Sequence, residues 1–148
     1  MNKEQALEMH VLLFTFMGRF HEKFFMNYRQ LLDSALPLKK NQTKIISMLY
    51  HRNCLTPTEL ARMLDIEKGG LTTIIDQLEQ MDLVVRSPDA RDRRKQLLSL
   101  SQQGRRVMEQ VLERYTESIR EQFNLVDQQE LDKFMNSLRY VVEFMESN

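Results

Sequence analysis

The 148-residue chain has one cysteine, three prolines, four glycines and three histidines, and each scarcity excludes something. Cys54 alone cannot close an intrachain disulfide. The opening segment carries Glu4 and Glu8 where a secretion signal carries only positive charge, so a cytoplasmic location is expected. The most apolar run, Val11 to Gly18, stops at Arg19, far short of the roughly 20 residues of a membrane span, so no membrane partner is expected. His10, His21 and His51 are scattered, and neither His-Glu-x-x-His nor Cys-x-x-Cys occurs. The stretch "KGGLTT" lacks the spacing of a phosphate-binding loop. No metal, no cofactor and no enzymatic reaction are therefore expected. There is no internal repeat or low-complexity tract, and the 42% hydrophobic and 28% charged residues are those of one ordinary globular domain.

Net charge is also lacking, but it is unevenly spread. Residues 1–38 carry 4 cations and 4 anions, residues 39–95 carry 11 and 8, and residues 96–148 carry 6 and 9. Affinity for a polyanion depends on the cations that locally meet phosphates, not on the total. Arg86, Arg91, Arg93, Arg94 and Lys95 fall within ten residues. Alone, such a run is most often a solvated loop, so its meaning depends on the elements around it.

Apolar residues at Leu7, Val11, Phe14, Met17, Phe24, Tyr28 and Leu31 predict one long amphipathic helix over Lys3 to Ser34. Phe16, Phe20 and Phe25 widen its apolar face beyond what one partner helix covers, which points to an oligomer contact. After Pro37, Asn41 is expected to cap a short helix with Ile45, Met48 and Leu49 on one side. "TPTELARML" is the sharpest helix start: Thr56 as N-cap, Pro57 at the first helical position and Glu59 closing a capping box. A break at "DIE" precedes "KGGLTTIIDQLEQM", with Leu71, Ile74, Ile75, Leu78 and Met81 on one side and Lys68, Thr72, Thr73, Asp76 and Gln77 on the other. The period then changes toward two. "LVVRS" and "QLLSL" read as a hairpin around a polar loop with Pro88, Asp89 and Ala90, the basic cluster at its tip. Ser101 is expected to cap one further helix, and Asp127 with Glu130 another. The fold class is mainly α with a small β-hairpin wing, an α+β winged helix-turn-helix.

"LTPTELARMLDIEKGGLTTIIDQLEQMDLVVRSPDARDRRKQLLSLSQQG" resembles the MarR family of bacterial transcription regulators. The wing carries Asp92, Arg93 and Arg94, then Leu98, Leu100, Ser101 and Gly104. The resemblance covers about a third of the chain, and the flanking helices match by length and position. It implies a homodimer with an N-terminal dimerisation helix (1–38), a DNA-binding lobe (39–100) and C-terminal helices completing the dimer region (101–148), all in one integrated subunit. Two such lobes would bind successive major grooves of a pseudo-palindromic site in double-stranded DNA, half-sites about 34 Å apart. Repression is the family's usual mode.

On that reading Gly69 and Gly70 let the N–H groups at the recognition helix's positive end approach a phosphate. Each otherwise costs about 1 kcal/mol of helix propensity. Lys68, Thr72, Thr73 and Gln77 face the bases or backbone. Arg94 enters the minor groove with Asp92 as its orienting partner, and Arg86, Arg91, Arg93 and Lys95 contact phosphates. In place of the family's usual glycine, the turn before the wing has Asp82, which tolerates the left-handed conformation. The resemblance also implies a small aromatic or phenolic effector between the dimerisation helices and the lobe, where Met17, His21, Met48 and His51 are the residues to inspect. Cys54 lies outside the first helix, where the family's redox thiols sit, and is expected to be a packing residue. Metal sensing needs a ligand cluster, and no histidine follows Ser101. The alternative function is a winged-helix protein-interaction module that does not bind DNA, served by ten methionines and eight phenylalanines.

Overall fold

The computed structural model describes residues 1–90 and 92–147, with Lys68 described by its backbone alone. The elements in chain order are α1 (Lys3–Phe20), a π-helical turn (His21–Phe25), α2 (Met26–Ala35), α3 (Lys40–Arg52), β1 (Cys54–Leu55), α4 (Pro57–Leu64), α5 (Lys68–Gln80), β2 (Val84–Pro88), β3 (Gln96–Leu100), α6 (Gln102–Gln122) and α7 (Gln128–Ser147). Residues up to Tyr115 form one compact unit and those from Thr116 a second, the division falling inside α6.

The first predicted helix is interrupted. The Met26 N–H bonds the His21 carbonyl five residues back, and the extra residue rotates everything downstream relative to α1. The core-facing side of α2 therefore centres on Leu32, which is fully buried, with Tyr28 and Leu31 partly buried beside it. No residue of α1 is buried: Leu7, Val11, Phe14 and Met17 all stay exposed, with Phe16 and Phe20 alongside.

α3 begins two residues earlier than Asn41 suggests. Lys39 is its N-cap, and its N–H donates to the Gln42 side chain at 2.8 Å. Ile45, Ile46 and Leu49 then face the core. α4 starts as its sequence dictates. The Thr56 N–H and hydroxyl donate to Glu59 Oε2 at 2.7 and 2.8 Å, and the Glu59 N–H returns to Thr56 Oγ1 at 3.2 Å. These bonds hold the Glu59 carboxyl below its ordinary pKa, the Thr56 N–H contributing most.

Leu60 of α4, Leu71, Ile75 and Leu78 of α5, Leu83, Val84, Leu98 and Val107, Met108 and Val111 of α6 complete one core. Each such burial stabilises the fold by about 2 kcal/mol. The sheet is three-stranded, in the order β1-β3-β2, and fully antiparallel. β1, too short to show a period, is absent from the sequence reading. It pairs Cys54 with Ser99 and Leu55 with Leu98. At the sheet edge Cys54 is exposed and not the packing residue expected, because alternation turns Leu55 inward instead. Pro88 closes β2 opposite Gln96 and does not lie in the loop; an edge strand accepts it because no neighbour needs its missing N–H.

The α5–β2 turn is a left-handed cap. Asp82 takes φ 54°, the Leu83 N–H bonds Leu78 O at 3.0 Å and the Asp82 N–H bonds Glu79 O at 2.9 Å. Ser101 fastens this turn to the start of α6, its hydroxyl donating to Asp82 O at 2.5 Å and accepting from the Gly104 N–H at 2.9 Å. In the second unit the Gln129 N–H donates to Asp127 Oδ1 at 2.9 Å, so Asp127 caps α7. Glu130 does not complete the expected box but pairs with Lys133 at 2.7 Å, one turn on in its own helix. No described residue of α7 is fully buried, and Tyr140, Val142, Phe144 and Met145 are exposed. No helix among the described residues is long and apolar enough to cross a membrane.

Candidate nucleic-acid interface

α5 buries Leu71, Ile75 and Leu78 at helical spacing, which turns Thr72, Thr73 and Asp76 outward. Gly69 and Gly70 occupy its first turn, where helical N–H groups lack carbonyl partners within the helix. Packing does not require either glycine. A Cβ at Gly69 would meet nothing within 4 Å, and one at Gly70 only Ile66 Cγ2, at an ordinary 3.6 Å. The bare surface at this helix end therefore faces outward.

Thr73 Oγ1 donates to Gly69 O at 3.4 Å. Gln77 is engaged inside the lobe, its Oε1 accepting from Gln42 Nε2 at 3.0 Å. That bond joins residues 35 apart in sequence and sets the start of α3 against α5. A hollow there is lined by Lys39, Lys40, Asn41, Gln42, Ile74 and Gln77. Lys39 and Lys40 are absent from the set read from the sequence. A lysine pair after Pro37 is visible there, but only the Gln42–Gln77 contact shows that it borders α5.

At the wing, the structure separates the basic cluster into two groups. Arg86, on β2, is held by two carboxylates of α5: Nη2 lies 2.6 Å from Asp76 Oδ1, and Nη1 donates to Glu79 Oε2. Its guanidinium is committed, unlike the free phosphate contact expected from sequence. Arg93, Arg94 and Lys95 are exposed, with no ion-pair partner among the described residues. Arg91 and the Lys68 side chain lie outside the described residues.

Asp92 acts on backbone: its Oδ1 accepts from the Arg94 N–H at 3.1 Å, and its carbonyl accepts from the Lys95 N–H at 2.8 Å. The Asp89 N–H bonds Lys95 O at 2.9 Å and closes the loop. The acid thus shapes the tip that presents Arg94, and it does not grip the guanidinium.

The four effector-site residues lie on α1, the π turn and α3. Met17 and His21 are exposed on α1 and the π turn, His21 stacking on Phe25 at 5.4 Å. Met48 packs partly against the core, and His51 is exposed, edge-on to Tyr50 at 5.6 Å. No group of three or more potential metal ligands occurs among the described residues.

Comparison with known proteins agrees with this geometry. The MarR family model matches residues 38–95. The multiple antibiotic resistance protein MarR of Salmonella typhimurium is 31% identical over 81 residues, covering 55% of this chain and 56% of that protein. The chain thus aligns with little more than half the length of such curated relatives. The crystal structure of a transcriptional regulator from Thermotoga maritima superposes with a TM-score of 0.69 at 25% identity, over 97% of this chain and 96% of its own. A MarR family protein from Bacillus stearothermophilus gives 0.74 at 22% identity, over 99% of both chains, and shares the fold. Residues 38–95 thus match the MarR family model, and over nearly all of its length the chain has the fold of the Thermotoga maritima transcriptional regulator.

Proposed function

We propose that the chain is a sequence-specific double-stranded DNA-binding transcription regulator, a ligand-responsive repressor that binds a pseudo-palindromic operator as a homodimer. The observation that carries this reading is the pairing, on one lobe, of a bare helix start at Gly69 and Gly70 with a wing tip of exposed cations, Arg93, Arg94 and Lys95. The helix face offers threonine hydroxyls and methyls to base edges, and the tip offers a guanidinium to a narrow minor groove. Lys39 and Lys40 extend the basic surface along the phosphates beside α5. The apolar residues left exposed on α1 and on α7 are the proposed dimer seam.

The effector is a small aromatic or phenolic compound. It releases DNA only by as much as it prefers the lobe spacing that cannot bind DNA, and DNA weakens its binding by the same factor.

Fluorescence anisotropy against duplexes from the DNA flanking the chain's own gene, with a scrambled control and several salt concentrations, tests the reading. Tight, sequence-dependent binding with a steep salt slope is expected, and the slope counts the phosphate contacts. Equal, weak binding to both duplexes, or none at low salt, would favour the protein-interaction module. Gly69→Ala separates the helix-end claim from the rest. It is expected to raise stability by up to about 1 kcal/mol through helix propensity while weakening duplex binding severalfold. Wild-type affinity in that variant would show that the missing side chain serves no close approach.

A further inference from the structure

A helix that lies between phosphate walls is poorly served by acids on its outer side, yet α5 carries two. Asp76 shares the exposed face with Thr72 and Thr73, its side chain about half exposed, and Glu79 follows one turn on. The Debye length is about 8 Å in physiological salt, so a carboxylate at the edge of a groove repels the adjoining phosphates almost unscreened. Both acids accept from one guanidinium. Arg86 reaches across from β2, with its Nη2 on Asp76 Oδ1 at 2.6 Å and its Nη1 on Glu79 Oε2. Its side chain is only 26% exposed, the least of the three. The geometry needs the planar fork of arginine, since an ammonium is a point charge and does not present two fixed donors to two acceptors.

We propose that Arg86 is a positioning residue for DNA recognition: it is the internal counter-ion of the acidic edge of α5 and does not contact phosphate. The proposal rests on the DNA-binding reading above. It makes Arg86 act through Asp76 and Glu79, so its importance disappears when those charges are removed.

Wild type, Arg86→Ala, Asp76→Asn/Glu79→Gln and the triple variant are titrated against the same gene-flanking duplex over a series of salt concentrations, with thermal melts as a folding control. Arg86→Ala is expected to bind about tenfold more weakly, because like charges then face the phosphates. The pair variant keeps or exceeds wild-type affinity. The triple variant recovers to within about threefold of wild type, as coupled sites do when the offending partner is also removed, and its salt slope equals that of wild type.

A triple variant as weak as Arg86→Ala, with a slope lower by about one, would identify a lost phosphate contact and overturn the proposal. If Arg86→Ala does not fold, the pair variant decides. Wild-type binding there supports the counter-ion role, and weakened binding shows that the acids themselves read DNA and overturns it. A wild-type protein that binds no duplex at any salt fails the DNA-binding reading itself, a distinct result that also removes this proposal.

Discussion

Gly104→Ala is expected to cost about 3 kcal/mol of stability, the upper range for forcing one methyl into a packed site. A Cβ at this position would fall on the carbonyl oxygen of Leu83, inside any contact distance, and 3.0 Å from the carbonyl carbon. Neither atom is the end of a flexible side chain. The Leu83 carbonyl is held in place by the Ser101 N–H at 3.0 Å, and the neighbouring Asp82 carbonyl by the Ser101 hydroxyl. Relief therefore requires the start of α6 to retreat from the α5–β2 turn, drawing Val107 and Met108 out of the core they fill. In a chain of this size that loss lowers Tm by about 10 °C. The measurement is thermal and urea unfolding at one fixed protein concentration, because the proposed dimerisation makes Tm depend on concentration. An unchanged midpoint would show that α6 is free to shift and that Gly104 is incidental.

Arg94→Ala is expected to weaken duplex binding about thirtyfold, and at least tenfold, while leaving the fold and the proposed dimer intact. Losing a hydrogen bond made by a charged group costs about 2 kcal/mol, which is about thirtyfold in affinity. The structure shows why the wing keeps its fold. The wing tip is held by backbone, through the Arg94 N–H on Asp92, the Lys95 N–H on the Asp92 carbonyl and the Asp89 N–H on the Lys95 carbonyl. The Arg94 side chain is exposed and takes part in none of this. Truncating it at Cβ leaves those bonds in place. Anisotropy titration read beside sedimentation of the free protein checks both halves. Binding at wild-type strength would remove the wing from the DNA-binding reading.

Asp92 belongs to the same experiment from the other side. Its role in the structure is to set the tip's backbone, so Asp92→Ala disturbs the presentation of Arg94 instead of its charge. The family resemblance assigned Asp92 to the guanidinium. The two roles use the same residue at the same spacing, and only the accepted N–H distinguishes them.

The parts of the fold that were legible in the sequence are those decided within a few residues. Thr56, Pro57 and Glu59 build the start of α4 from their own side chains, and the structure has that start bond for bond. The apolar period of α5, the left-handed Asp82 and the cap at Ser101 are equally local. The π turn at His21–Phe25 was not legible, because one inserted residue leaves a spacing of three, four or seven nearly unchanged while rotating the helix face. β1 escaped because two residues carry no period. It exists because β3 offers Ser99 and Leu98 as partners.

The candidate site divides along the same line. By itself, the sequence determined the helix-turn-helix, the hairpin and the concentration of cations at its tip, since helix caps, apolar periods and charge runs are written in neighbouring residues. Only the tertiary structure decided which of those cations are available. It joined Arg86 to acids seven and ten residues away, left Arg94 exposed, set Lys39 and Lys40 beside α5 through Gln42 and Gln77, and made a backbone carbonyl the reason for Gly104. A charge is free or committed according to what the chain brings within hydrogen-bonding distance of it, and that is a property of packing, which no window of sequence contains.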